Sequence, residues 1–275
     1  MLGSTLRLAE PVRGPLRGIA GLVFWVLVWQ VASIGIGQEL LVPAPLVVAD
    51  TLWDLAQTPQ FWLSTGASLL RMSVGFLLGV VVGCLAAVAT TSSVVADVLL
   101  SGFLRTVRAA PVASFVILAL VWIPTGQLPA FIAFAMVVPL VWDTMAEGLR
   151  HQDRALLEMA EVFRLGRWQT ARRVQMPALV PFFVSASTNA MGLAWKSGVA
   201  AEVISRPEVS IGGSLQDAKV YLETPAVFAW TITAVVLSLV LEKVLRLATA
   251  RWSRPPTGPA KGVGTEGAAG RVQDA

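Results

Sequence analysis

Charge is what this 275-residue chain has least of. Asp, Glu, Lys and Arg together make up 14% of it, where a soluble domain carries about a quarter. With 55% apolar residues and a mean hydropathy of +0.70, that scarcity excludes an ordinary soluble domain. It also discounts the net charge of +4 as a nucleic-acid signal, because the basic residues belong to a membrane chain. Cysteine is limited to Cys84, inside an apolar run, which excludes an internal disulfide and a thiolate cluster. Histidine is limited to His151, which cannot make a metal site alone. No metal ligand set and no catalytic residue is therefore expected. A membrane-embedded enzyme would need a metal cluster or a nucleophile–base pair at depth, and neither is supplied. The phosphate cradle G-x-x-x-x-G-K-[ST] is absent, so the chain cannot bind ATP in the P-loop way. Acids are not scattered through the apolar runs as a proton-driven carrier requires.

Long apolar runs are what the chain has most of. About 20 apolar residues make one helical span. Six spans are expected, at about 18–37, 70–91, 110–123, 129–147, 177–201 and 225–245. The first is too long to be a cleaved signal peptide. Residues 1–17 form a polar N-terminal segment, and 249–275 read as a disordered tail of Pro, Gly, Ala and charge. "PAPLVVADTLWDLAQ" reads as a short helix opened by proline. Residues 94–108 read as an amphipathic connector, and "IPTGQLP" as the turn between the third and fourth spans. Gly75, Gly79, Gly83 and Ala87 recur every four residues, giving a smooth stripe against which another helix can pack closely.

Arg and Lys fix the expected orientation. With the N-terminus inside, the inner segments hold Arg105, Arg108, Arg150, Arg164, Arg167, Arg172 and Arg173. The outer ones hold little beyond Arg71, Arg206 and Lys219. Both termini are then cytoplasmic, and so is the charged stretch 148–176.

That stretch contains "EMAEVFRLGRWQTARRVQMP", from Glu158 to Pro177. Helical spacing puts Leu156, Met159, Ala160 and Phe163 on one face. A break at Gly166 follows, then a second short helix with Trp168, Ala171 and Gln175 on one side, and Pro177 opens the next span. A positive-inside loop, a lipid-held surface helix and packing on the chain's own spans all compete as readings. Alternating acids and arginines, with an apolar face on both helices, fit a docking site for a soluble partner better.

Here the chain resembles the permeases of ATP-binding-cassette (ABC) importers of type I. The stretch is similar to their EAA loop, with Glu158-Met159-Ala160 followed by "RWQTARRVQMP". "FWLSTGASLLRMSVGFLLGVVVG", "GLAWKSGVAAEVIS" and "IGGSLQDAKVYLETPAVFAW" extend the resemblance over about residues 40–248, toward the branch handling nitrate, sulfonates and taurine. Two positions depart from the pattern: Met159 stands for alanine, and Arg164 occupies the glycine position, with Gly166 two residues later. The turn is therefore expected to shift or tilt.

The resemblance implies an all-α permease with about six spans and a coupling loop. It implies a cytoplasmic ATPase dimer that grips Glu158, Met159, Ala160, Phe163, Gly166, Trp168 and Pro177 and binds the ATP itself. It also implies an extracytoplasmic solute-binding protein, a second permease copy and a bacterial inner-membrane location. No cofactor of the chain's own is expected. Asn189, Lys196 and Glu202 are candidates to line the pathway, Lys196 as an attractor of anions. The competing reading has Lys196 snorkel to the interface or pair with an acid such as Glu202 or Asp143. A thiamine-precursor-like cargo, or an ion-coupled carrier working alone, are the alternatives.

Overall fold

A computed structural model describes residues 13–152 and 154–249. The chain is a bundle of helices: α1 (Arg13–Ile36), α2 (Pro45–Ala56), α3 (Pro59–Ser92), α4 (Val94–Ala109), α5 (Val112–Ala119), α6 (Leu128–Arg150), α7 (Arg154–Val162), α8 (Arg167–Thr170), α9 (Met176–Ser205), α10 (Ile211–Val220) and α11 (Thr224–Thr249). The expected N-terminal segment and tail lie almost wholly outside the described residues.

Five helices are long and apolar enough to cross a membrane: α1, α3, α6, α11 and the continuous helix Trp168–Ser205. The second span begins well before the expected residue 70, because Pro59 opens α3 and the Thr58 hydroxyl accepts the Phe61 N–H at 3.4 Å. The third span is bent: α4 and α5 pass together as one broken span or a re-entrant loop, and with that pair the spans number up to six. Residues 94–109 are not a connector but a full helix, while 110–123 holds only the eight residues of α5. Eight residues rise about 12 Å, against a hydrocarbon core of about 30 Å. The two helices meet at 105°. Pro111 explains the corner: it holds Ala110 extended (φ −68°, ψ 133°) and cannot continue the ladder. Two ion pairs latch α4 along α6, Asp97 with Arg150 at 3.3 Å and Arg108 with Asp143.

The core is built where α6 lies between α3 and α9. Gly75, Gly79 and Gly83 face α6. A Cβ on Gly79 would stand 2.6 Å from Val137 Cγ1, and one on Gly83 2.8 Å from Val141 Cβ. Glycine is what lets the two backbones come this close. On the other side, Gly148 is covered by the Phe182 ring of α9. Phe76, Val137, Val141, Trp142, Ala186 and Ala190 fill the space between. Outward faces of α1, α3 and α11 stay apolar and exposed, as suits helices solvated by lipid tails. α1 is tied down near its end: the Trp29 indole N–H donates to the Pro43 carbonyl at 3.1 Å, and its ring stacks on Phe228.

Candidate functional site

The charged stretch between α6 and α9 carries the first candidate site. α7 ends in a Schellman turn: the Leu165 N–H donates to the Ala160 carbonyl and the Arg164 N–H to that of Glu161, both at 2.9 Å. The left-handed residue is Arg164, at φ 51°. The expected shift of the turn to Gly166 does not occur. The turn stays where the resemblance puts a glycine, and arginine bears the strain. A Cβ on Gly166 would meet open space.

The expected apolar face of α7 divides. Ala160 is buried, while Met159, Val162 and Phe163 point outward, Phe163 70% exposed and Val162 80%. Glu158 is exposed beside them. Val162 escaped the sequence reading, although its spacing from Met159 is helical. The second short helix is not separate. α8 runs through a π-helical turn, Ala171–Gln175, directly into α9. Pro177 therefore lies inside one long helix, in its exposed early turns, instead of opening a new one. Trp168 is exposed near the start of that helix. Such π-helical turns concentrate at functional sites.

The second site lies at the far end of α9 and corrects the reading of Glu202. That side chain is fully buried, so it lines no open pathway. The Ser68 hydroxyl of α3 stands 2.8 Å from both of its oxygens. The Gly212 N–H of α10 donates to it at 3.1 Å, and Arg71 at 3.4 Å. Ser68 also accepts the Ile211 N–H at 2.9 Å, and Arg71 donates to the Val209 carbonyl at 2.7 Å. A Cβ on Gly212 would fall 2.4 Å from Glu202 Cβ. The carboxylate thus ties α3, α9 and the first turn of α10 into one joint. Its side-chain partners Ser68 and Arg71 lie more than 130 residues away, so no local signal announced them.

Asn189 and Lys196 sit on the exposed side of α9. The acids proposed as partners for Lys196 are taken: Glu202 by Arg71 and Asp143 by Arg108. Lys196 instead lines a cavity of about 390 Å³ between α9, α10 and α11, with Trp195, Leu215, Thr231, Ser238 and Glu242. Among the described residues no three of His, Cys, Asp and Glu converge as metal ligands would.

Comparisons with known proteins bear on the whole bundle. The family described as "Binding-protein-dependent transport system inner membrane component" matches residues 79–254. A Bacillus subtilis permease protein named for aliphatic sulfonates transport, SsuC, is 24% identical over 237 residues, 85% of each chain. The bicarbonate transport system permease protein CmpB of Synechococcus elongatus is 30% identical over 226 residues, 76% of this chain and 79% of that one. Among solved structures, an amino acid ABC transporter with histidines superposes with a TM-score of 0.62 at 18% identity, over 73% of this chain and 97% of the other. A bacterial ABC transporter involved in the import of alginate gives 0.60 at 17% identity, over 87% and 96%. At such identities these structures speak for the fold.

Proposed function

Because the chain belongs to the family of binding-protein-dependent transport system inner membrane components, a multi-pass membrane permease of the type I ABC importer fold, we propose that it forms the pathway for a small oxyanionic solute, sulfonate-like or bicarbonate-like. In this reading a cytoplasmic ATPase dimer binds ATP and docks on α7. An extracytoplasmic binding protein delivers cargo to the opposite side, where α2 and α10 lie. A second copy completes the pathway, and both termini are cytoplasmic.

The observation that carries the coupling is the outward set Met159, Val162 and Phe163 beside Glu158. Large apolar side chains standing clear of the bundle on a charged loop mark a protein contact surface. The solute class rests on the names of the sulfonate and bicarbonate relatives and on Lys196, which takes part in no ion pair among the described residues.

The test is capture of the ATPase encoded beside this gene by the detergent-solubilised chain. Phe163→Asp and Glu158→Lys should abolish capture while membrane insertion and melting temperature stay unchanged. Undiminished capture by both would remove α7 from the docking role. Vesicles containing the chain alone should accumulate no solute. Accumulation without ATPase would point to an ion-coupled carrier instead.

A further inference from the structure

Lys196 is placed as few membrane lysines are. It lies nine residues before Ser205, the end of α9, or about 13 Å along the axis. That sets it within the helix long and apolar enough to cross a membrane. Among the described residues it takes part in no ion pair. An unmatched ammonium at that depth is costly and marks a polar pathway or a ligand.

The surrounding wall keeps the imbalance. Glu242 is the acid of the cavity lining, and its carboxylate accepts from Arg246 at 3.1 Å while lying over Gly192, where an added Cβ would come within 2.9 Å. Counting Arg246 beside the lining, the group carries two cations against one acid. The Trp195 N–H is spent on the Ala234 carbonyl at 2.9 Å, leaving Lys196 and the Ser238 hydroxyl as donors to a guest. A second observation points the same way. Ser185, Asn189 and Lys196 fall at i, i+4 and i+11 on α9, and all three are exposed. Helical spacing aligns them as a polar stripe along the exposed face of α9. Lipid tails would not favour such a face, whereas a hydrated ion path would.

We propose that the cavity between α9, α10 and α11 is a site for a small monovalent oxyanion, with the Lys196 ammonium as its counter-charge and Ser238 as a hydrogen-bond donor. This rests on the importer reading and gives that pathway a located anion station. A volume of about 390 Å³ admits such an ion with a few waters. Leu215 of α10 is part of the lining, and α10 also carries Gly212 of the Glu202 joint.

The test uses the full-length chain in phosphatidylcholine nanodiscs, titrated with methanesulfonate and separately with bicarbonate against chloride at matched ionic strength. Saturable binding of one of them, read by calorimetry and by a rise in melting temperature, is expected. Lys196→Gln should weaken it at least tenfold, Lys196→Arg less than threefold, and Glu242→Gln should tighten it. No saturable binding to the wild type overturns the site, as does wild-type affinity in Lys196→Gln. Protection seen only when phosphatidylglycerol replaces phosphatidylcholine also overturns it, assigning the lysine to a lipid headgroup. ATPase capture on the same preparations separates the two ideas. Capture without anion binding removes the station alone; anion binding without capture removes the importer reading instead.

Discussion

The Trp142 indole N–H of α6 donates to the Thr90 hydroxyl of α3 at 2.9 Å, and both side chains are almost wholly buried. The Thr90 hydroxyl donates in turn to the Ala87 carbonyl, 3.2 Å away. The pair pins the ends of α3 and α6 that lie nearest the charged loop. Thr90→Val keeps the shape and strands the indole N–H. It should cost about 1–3 kcal/mol, the usual cost of an unsatisfied buried donor. Adding Trp142→Phe should recover part of that loss. Thermal or SDS unfolding of the purified chain measures both.

Gly79 offers a steric test. Val137 leaves no room for a side chain there, so Gly79→Val should force α3 and α6 apart and lower the yield of folded protein sharply. Gly66, on the same helix, has open space around its missing Cβ. Gly66→Ala should be neutral or stabilising by up to about 1 kcal/mol. Equal effects at the two positions would remove the packing role of the stripe.

Arg164→Gly should stabilise the turn after α7 by about 1 kcal/mol, since glycine reaches a left-handed φ without steric penalty. Hydrogen exchange at the Leu165 amide should slow accordingly. Gly166→Arg, at a site with open space, should leave that amide unchanged.

Glu202→Leu leaves Arg71 without its carboxylate and Ser68 without its acceptor. Losing one member of such a buried pair costs about 3–5 kcal/mol. Glu202→Gln keeps one acceptor oxygen and should cost less. The melting temperature should fall in that order, and cleavage by an added protease should appear first near α10, the element released.

The sequence made the repeated small residues legible, because a period of four is written locally and needs no partner to be seen. The charged stretch before α9 was legible for the same reason: it is set between apolar runs. Glu202 was not. Its burial depends on Ser68 and Arg71 coming from a distant helix, and a lone acid near a span end gives no sign of that. The corner at Pro111 was missed because an uncharged run reads as a span whether or not it bends. Arg164 was a subtler miss. The demand of the turn for a left-handed residue outranked the side chain's preference, so the backbone kept its place and the residue adapted.

One unbroken helix runs from Trp168 to Ser205, 38 residues or about 57 Å. A bilayer core is about 30 Å thick, and spans tilt by at most about 40°, so at that tilt this rod still covers about 44 Å of depth. At least about 14 Å of it must lie beyond the hydrocarbon core, in the headgroup layer or in water. The overhang means that a single piece of backbone joins a stretch outside the hydrocarbon core to the buried Glu202 knot, so that a small tilt at one end is felt at the other.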